Sequence, residues 1–182
     1  MDHLWSPWRL AYVTATGTPA DEGACIFCKA LEAGDDLILV RATHCYVILN
    51  LYPYNNGHLM VVPNRHVGTL EASTGDERSE LMRLTRHAEM ALAEAYKPQG
   101  INVGMNLGRP AGAGIVDHLH VHVVPRWIGD TNFMSVVGNV RVLPEELRET
   151  ARRLRPIFER LAKQDVCHEN TKTRKSLVRF VS

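Results

Sequence analysis

The stretch Asp117–Trp127, DHLHVHVVPRW, sets His118, His120 and His122 on alternate residues, with Leu119, Val121 and Val123 filling the gaps. Side chains on a strand alternate between its two faces, so a strand here carries the three imidazoles on one side and the aliphatic residues on the other. Leu119, Val121 and Val123 then belong to a core, and the histidines form a row spaced about 7 Å apart along the chain. A wet strand face is served equally well by Lys, Thr or Glu, so three histidines ask for a chemical reason. Imidazole titrates near neutral pH and can donate a proton, attack an electrophile or bind a metal. Paired histidines on strands also build metal sites, so the row alone leaves nucleophile and metal ligand both open.

Its neighbours narrow the choice. Just upstream, Asn106 is followed by the loop GRPAGAG, Gly108–Gly114. Backbone N–H groups of such a loop can cradle an anion. Glycines alone mark a plain turn, but placed directly before a histidine row they point to phosphate.

Further out, LILVR (Leu37–Arg41), HCYVILN (His44–Asn50), HLMVVPN (His58–Asn64) and INVGMNL (Ile101–Leu107) read as further short strands. LYPYNNGH between the second and third carries the Pro and Asn-Asn-Gly signals of a loop. Ser73, Thr74, Asp76 and Glu77 offer overlapping capping-box starts for a helix. Leu81, Leu84, Ala88, Ala91, Leu92 and Ala95 follow at helical spacing, and Pro98-Gln-Gly100 ends it. A second helix begins near Pro144 with Leu147, Ala151, Leu154 and Phe158 on one face, and Pro156 interrupts its pattern. Five strands around two helices predict an α+β fold on an antiparallel sheet. Residues 1–23 read as an irregular arm with Trp5, Trp8 and Tyr12 as anchors, 24–163 as the domain, and 164–182 as a disordered basic tail.

The chain has 182 residues, enough for one domain, and its 21 basic and 20 acidic residues nearly cancel. That balance argues against a nucleic-acid partner, which needs a basic face, but not against a small anionic ligand. No apolar run reaches the length of a membrane span, and the start MDHLWSPWRLAYV has no long apolar core of a secretory signal. These features suit the cytoplasm. The four cysteines agree: Cys25 and Cys28 form a close pair, while Cys45 and Cys167 stand apart, a spacing that fits a metal site better than a disulfide framework.

HLHVHVV (His118–Val124) resembles the signature of the histidine triad (HIT) family of nucleotide hydrolases and transferases. ILNLYPYNNGHLMVVPNRHVGTL (Ile48–Leu70) is similar to that family's nucleoside-binding strand pair, and GMNLGRPAGAG (Gly104–Gly114) to its phosphate loop. With the LWSPWR opening and GDTNFM (Gly129–Met134), the chain looks most like the bacterial diadenosine polyphosphate phosphorylase and hydrolase branch. The resemblance implies a five-stranded antiparallel sheet, a homodimer, and a two-step transfer through a nucleotidyl-histidine. His120 would be the nucleophile, with His122 and His58 on the phosphates or the leaving group. Asn106, Ala113 and Gly114 would stabilise phosphoryl charge, Asn50 would meet the ribose, and Leu49, Leu51 and Pro53 would wall the base. One departure stands out. The loop before His118 is a residue longer than in commoner members, and AGAG replaces the usual glutamine. In the resemblance this goes with orthophosphate as acceptor, and Arg109 at the loop would add a contact to it.

CIFC (Cys25–Cys28) has the spacing with which two thiolates hold one zinc, and the plainer alternative is two reduced thiols. The resemblance implies His66 and His118 as the other two ligands of a closed structural zinc, with His44 a second candidate for the third. Three rivals stand beside the dinucleoside polyphosphate reading. One is a purine nucleoside phosphoramidase, one an AMP-binding sensor without turnover, and one a metallohydrolase whose three histidines share a catalytic metal. The sensor reading predicts loss of the middle histidine, and His120 is present.

Overall fold

Alternating apolar residues on short segments build a five-stranded antiparallel sheet in the computed structural model, which describes residues 25–130 and 145–178. The elements run α1 (Ile26–Ala33), β1 (Ile38–Arg41), β2 (Cys45–Leu49), β3 (Leu59–Pro63), α2 (Gly75–Tyr96), β4 (Gly100–Gly104), β5 (Val121–Arg126) and α3 (Leu147–Val178). The sheet order is β1-β2-β3-β5-β4, so β1 and β4 are its edges. The expected arm at 1–23, the TNFM of the GDTNFM motif and the Pro144 helix start lie outside the described residues.

Three helices are present among the described residues where the sequence suggested two. The addition is α1, an eight-residue helix that begins directly after Cys25. Its brevity hid it, because two turns give little room for a helical period to show. The basic tail placed after residue 163 enters α3, which is continuous to Val178 with Pro156 inside it.

The two faces of the sheet are covered differently. Val47, Leu49, Leu59, Val61, Leu119, Val121 and Val123 pack with Leu81, Leu84, Ala88 and Leu92 of α2 and with Leu154 and Phe158 of α3. On the other face Ile38, Tyr46, Ile48, Met60 and Val62 gather under Phe27 of α1. The Tyr46 hydroxyl donates to the Phe27 carbonyl at 2.9 Å, fixing the start of α1 on the sheet.

Of the overlapping helix starts, Thr74 is the one used. Its Oγ1 accepts the Glu77 N–H at 3.1 Å and the Glu77 carboxylate accepts the Thr74 N–H at 2.7 Å, a complete capping box. The same carboxylate pairs with Arg65 at 2.8 Å, and these contacts hold its pKa down to about 2. One turn on, buried Glu80 accepts the backbone N–H groups of His44 and Cys45 and pairs with Arg83. Thus α2 is stitched to the start of β2 by one carboxylate.

Candidate active site and metal centre

Strand register brings the site together. Met60 pairs with His122, Ile48 with Met60, and Gly104 with His122. Two residues from Met60 and Ile48 along their strands, His58 and Asn50 therefore share the face of His122. The Asn50 N–H donates to the His58 carbonyl at 2.9 Å, closing this end of the β2–β3 pair. Leu49 alternates to the opposite face and is buried in the helix-covered core. It is therefore not brought to the site, which corrects its expected role as a wall of the base; Leu51 is exposed and Pro53 half-buried on the loop beyond.

Each histidine has a defined proton. His120 Nδ1–H donates to the His118 carbonyl at 2.8 Å, which places the lone pair on Nε2. The ring is only 6% exposed, stacked at a tilt on Phe27 with 5.0 Å between centroids, and meets His122 edge-on at 4.8 Å. Burial, the larger influence, pulls its pKa below the ordinary histidine value despite the bond to the His118 carbonyl. A neutral imidazole with a free Nε2 is a nucleophile at pH 7.

His58 and His122 form a chain. The Tyr54 N–H donates to His58 Nδ1 at 3.1 Å, so that nitrogen is an acceptor. His58 Nε2–H then donates to His122 Nδ1 at 2.9 Å. His122 is left with its own proton on Nε2, a donor for a ligand. Burial first, then the neighbouring His120, bring the pKa of His122 down to about 4, so the donor is neutral. Tyr54 also lays its ring over His58, with 4.7 Å between centroids.

His118 turns to other company. Its Nε2–H donates to the Pro63 carbonyl at 2.9 Å, which aims a bare Nδ1 at Cys25 Sγ, 3.2 Å away, and Cys28 Sγ, 3.7 Å away. His66 Nδ1 lies 3.5 Å from Cys28 Sγ. Cys25, Cys28, His66 and His118 thus present four ligand atoms within 4.8 Å of one another. His44 is not among them. The donor set suits zinc: two thiols and two imidazoles, with the Pro63 carbonyl fixing the His118 tautomer as an outer partner of a metal ligand does. Of the histidine row only His118 joins this cluster, so the row does not converge on one metal among the described residues.

The loop before His118 is tighter than a bare anion nest. Arg109–Ala111 form a turn of 3-10 helix between Gly108 (φ 82°) and Gly112 (φ 89°). The N–H groups of Ala111 and Ala113 donate to the Gly108 carbonyl, and that of Gly112 to Arg109. The Asn106 amide donates to the Gly112 carbonyl at 3.3 Å, closing the loop. Ala113 is buried and Arg109 exposed. Three residues important to this geometry escape a sequence reading: Phe27, Tyr54 and Pro63, of which Pro63 acts through its carbonyl and Tyr54 through both its N–H and its ring. Phe27 left one signal, its position between the two cysteines.

Comparison with known proteins fits this site. Residues 32–127 match the HIT domain. The chain belongs to the histidine triad family. Within that family, the AP-4-A phosphorylase of Mycobacterium tuberculosis is 42% identical over 161 residues, covering 85% of this chain and 83% of the relative. Among solved structures, a Zn-bound histidine triad family protein from Mycobacterium smegmatis has a TM-score of 0.64 at 25% identity, covering 78% of this chain and 97% of its own. A hypothetical histidine triad nucleotide-binding protein from Sulfolobus tokodaii has a TM-score of 0.63 at 26% identity, over 75% of this chain and 93% of its own.

Proposed function

We propose that the protein is a diadenosine polyphosphate phosphorylase that works through a covalent nucleotidyl-His120. The bond from His120 Nδ1–H to the His118 carbonyl carries this reading, because it delivers a neutral ring with its lone pair on Nε2. The 42% identity to an AP-4-A phosphorylase supports the substrate class.

In the first step His120 Nε2 attacks the α-phosphorus of diadenosine tetraphosphate. An N–P bond forms, the bridging P–O bond breaks, and ATP leaves. The His122 Nε2–H donates to the phosphate oxygens, where charge moves as the bond breaks. In the second step an oxygen of orthophosphate attacks the same phosphorus, the electron pair of the N–P bond returns to Nε2, and ADP is released. Water in that position would give AMP. Asn50 meets the ribose, and Leu51 and Pro53 flank the base. Three loop amides are spent on the turn, so the charge of the second step falls to Gly114, Arg109 and the second amide hydrogen of Asn106, whose first is used on the Gly112 carbonyl.

Cys25, Cys28, His66 and His118 would hold a zinc ion, tying α1 to the segment leading into β5. Its contribution would be a cross-link, since four protein ligands would leave no open position. The protein acts as a homodimer; β4, an edge strand with Val103 half exposed, supplies an unpaired strand edge for it.

Acid-stable and acid-labile adducts distinguish the covalent route. Enzyme quenched during turnover carries acid-labile nucleotide on His120, and His120→Asn lowers kcat at least about a thousandfold. Activity within tenfold of wild type in His120→Asn would remove the covalent step.

A further inference from the structure

Asp130 and Arg126 lie outside the proposed chemistry, yet they end a chain of contacts that begins at His122. The Asp130 carboxylate accepts Arg126 Nε–H at 2.6 Å and Nη2–H at 2.8 Å, and the Trp127 N–H at 3.2 Å. It also accepts the Asn55 amide at 2.8 Å. The same Asn55 nitrogen donates to the Pro125 carbonyl at 2.9 Å, so this side chain pins the β2–β3 loop against the end of β5. Arg126 is braced in turn by Asn102 of β4 at 2.9 Å. The guanidinium of Arg126, first among its contacts, holds the Asp130 carboxyl well below the usual carboxylate range, so the clamp stays charged throughout the working pH range.

What the clamp fixes is the shorter of two N–H contacts on His58 Nδ1, the other coming from the Asn50 amide at 3.3 Å. Tyr54 is the residue immediately before Asn55, and its N–H is the donor to His58 Nδ1. The loop is held at its other positions by the Tyr52 N–H on Asn50 Oδ1 and the His58 N–H on the Asn55 carbonyl. With Nδ1 accepting, His58 must donate from Nε2, and His122 must in turn accept at Nδ1 and keep its proton on Nε2. Were the Tyr54 N–H to swing away, His58 Nδ1 would keep only the longer contact from the Asn50 amide at 3.3 Å, and its proton could move to Nδ1. The 2.9 Å contact would then need the donor on the His122 side, and His122 Nε2 would face the phosphates as a lone pair beside anionic oxygens.

We propose that Asn55, held by Asp130 and Arg126, is a positioning residue that sets the tautomers of His58 and His122 through the Tyr54 N–H. The effect on catalysis rests on the role of His122 given above, whereas the tautomers themselves do not. The two are separable by experiment.

Asn55→Ala and Asp130→Asn loosen the clamp from its two sides. Long-range nitrogen–proton correlation spectra at pH 7.5 read the histidine tautomers directly. Wild type should show His58 and His122 protonated at Nε2. Each folded variant should shift His122 toward the Nδ1–H form. With diadenosine tetraphosphate, kcat should fall about tenfold while KM moves less than about threefold, as for loss of an outer hydrogen-bonded partner. Unchanged tautomers in both variants, whatever the rate does, overturn the proposal. Shifted tautomers with an unchanged rate uphold the positioning and count against His122 as the donor to the phosphates.

Discussion

His122 titrates in a setting that keeps it neutral. Its pKa is about 4 in the folded chain against an ordinary 6.5, chiefly because burial disfavours the cation. Between those two values the unfolded chain binds more protons than the folded one, so stability rises with pH across that window. The protein should therefore be fully stabilised by this group above about pH 6.5 and lose that contribution as the pH falls toward about 4. Urea midpoints at pH 7 and pH 4.5 check this. The drop should shrink in His122→Asn, and an equal drop in both proteins would assign acid sensitivity elsewhere. The rate follows the same logic. Burial also pulls the His120 pKa below the ordinary value, so the acid limb of kcat/KM should lie below the range of an ordinary histidine. Two neighbouring imidazoles thus have different duties because each has its other nitrogen committed: His120 to a backbone carbonyl, His122 to His58.

At the scale of elements, α2 and α1 do opposite kinds of work. Helix α2 is anchored through polar contacts. Thr74→Ala removes the cap and should lower stability by about 1 kcal/mol. Glu80→Ala leaves the buried Cys45 N–H and the part-buried His44 N–H without their acceptor and should cost about 2 kcal/mol or more. Chemical denaturation of the two variants orders them, and a larger loss for Thr74→Ala would contradict the stitch between α2 and β2. Helix α1 is instead anchored by Phe27 and, in the account above, by zinc. Metal analysis should give about one zinc per chain, and Cys28→Ser should lower the melting temperature more than it lowers the kcat of the folded fraction. Metal-free protein that melts unchanged after chelation would leave the cysteines as ordinary thiols.

The strands and the capping box of α2 were legible in the sequence because period-2 alternation and Thr-x-x-Glu are local signals. The grouping of Cys25, Cys28, His66 and His118 was reached through family resemblance, and the geometry brings those four together. Helix α1 was not legible, because eight residues carry too little period to show. Nor was the side of the sheet taken by Leu49. Counting alternate residues from Asn50 gives it, once Asn50 is known to face His58. The clamp from Asn55 to Asp130 joins residues 75 positions apart and leaves no mark on either segment alone.

For the whole molecule, the sheet divides labour between its faces. One face is sealed by α2 and α3 and supplies the rigid floor. The other carries Asn50, His58, His120 and His122, with α1 capping one end and the Gly108–Gly114 loop lying just before the histidines in sequence. A rigid sheet fixes the distances among the imidazoles, and the chain's near-zero net charge leaves recognition of an anionic substrate to local donors. Arg109 at that loop is the cation assigned to the incoming phosphate, so Arg109→Ala should weaken the dependence of rate on phosphate more than the binding of nucleotide. The most direct measurement of the central claim is turnover of diadenosine tetraphosphate with radiolabelled orthophosphate, with products separated by ion exchange. The account predicts a rate that rises with phosphate, ATP and ADP in equal amounts, and the label in the β-position of ADP. Unlabelled AMP with ATP, at a rate indifferent to phosphate, would contradict it and make water the acceptor.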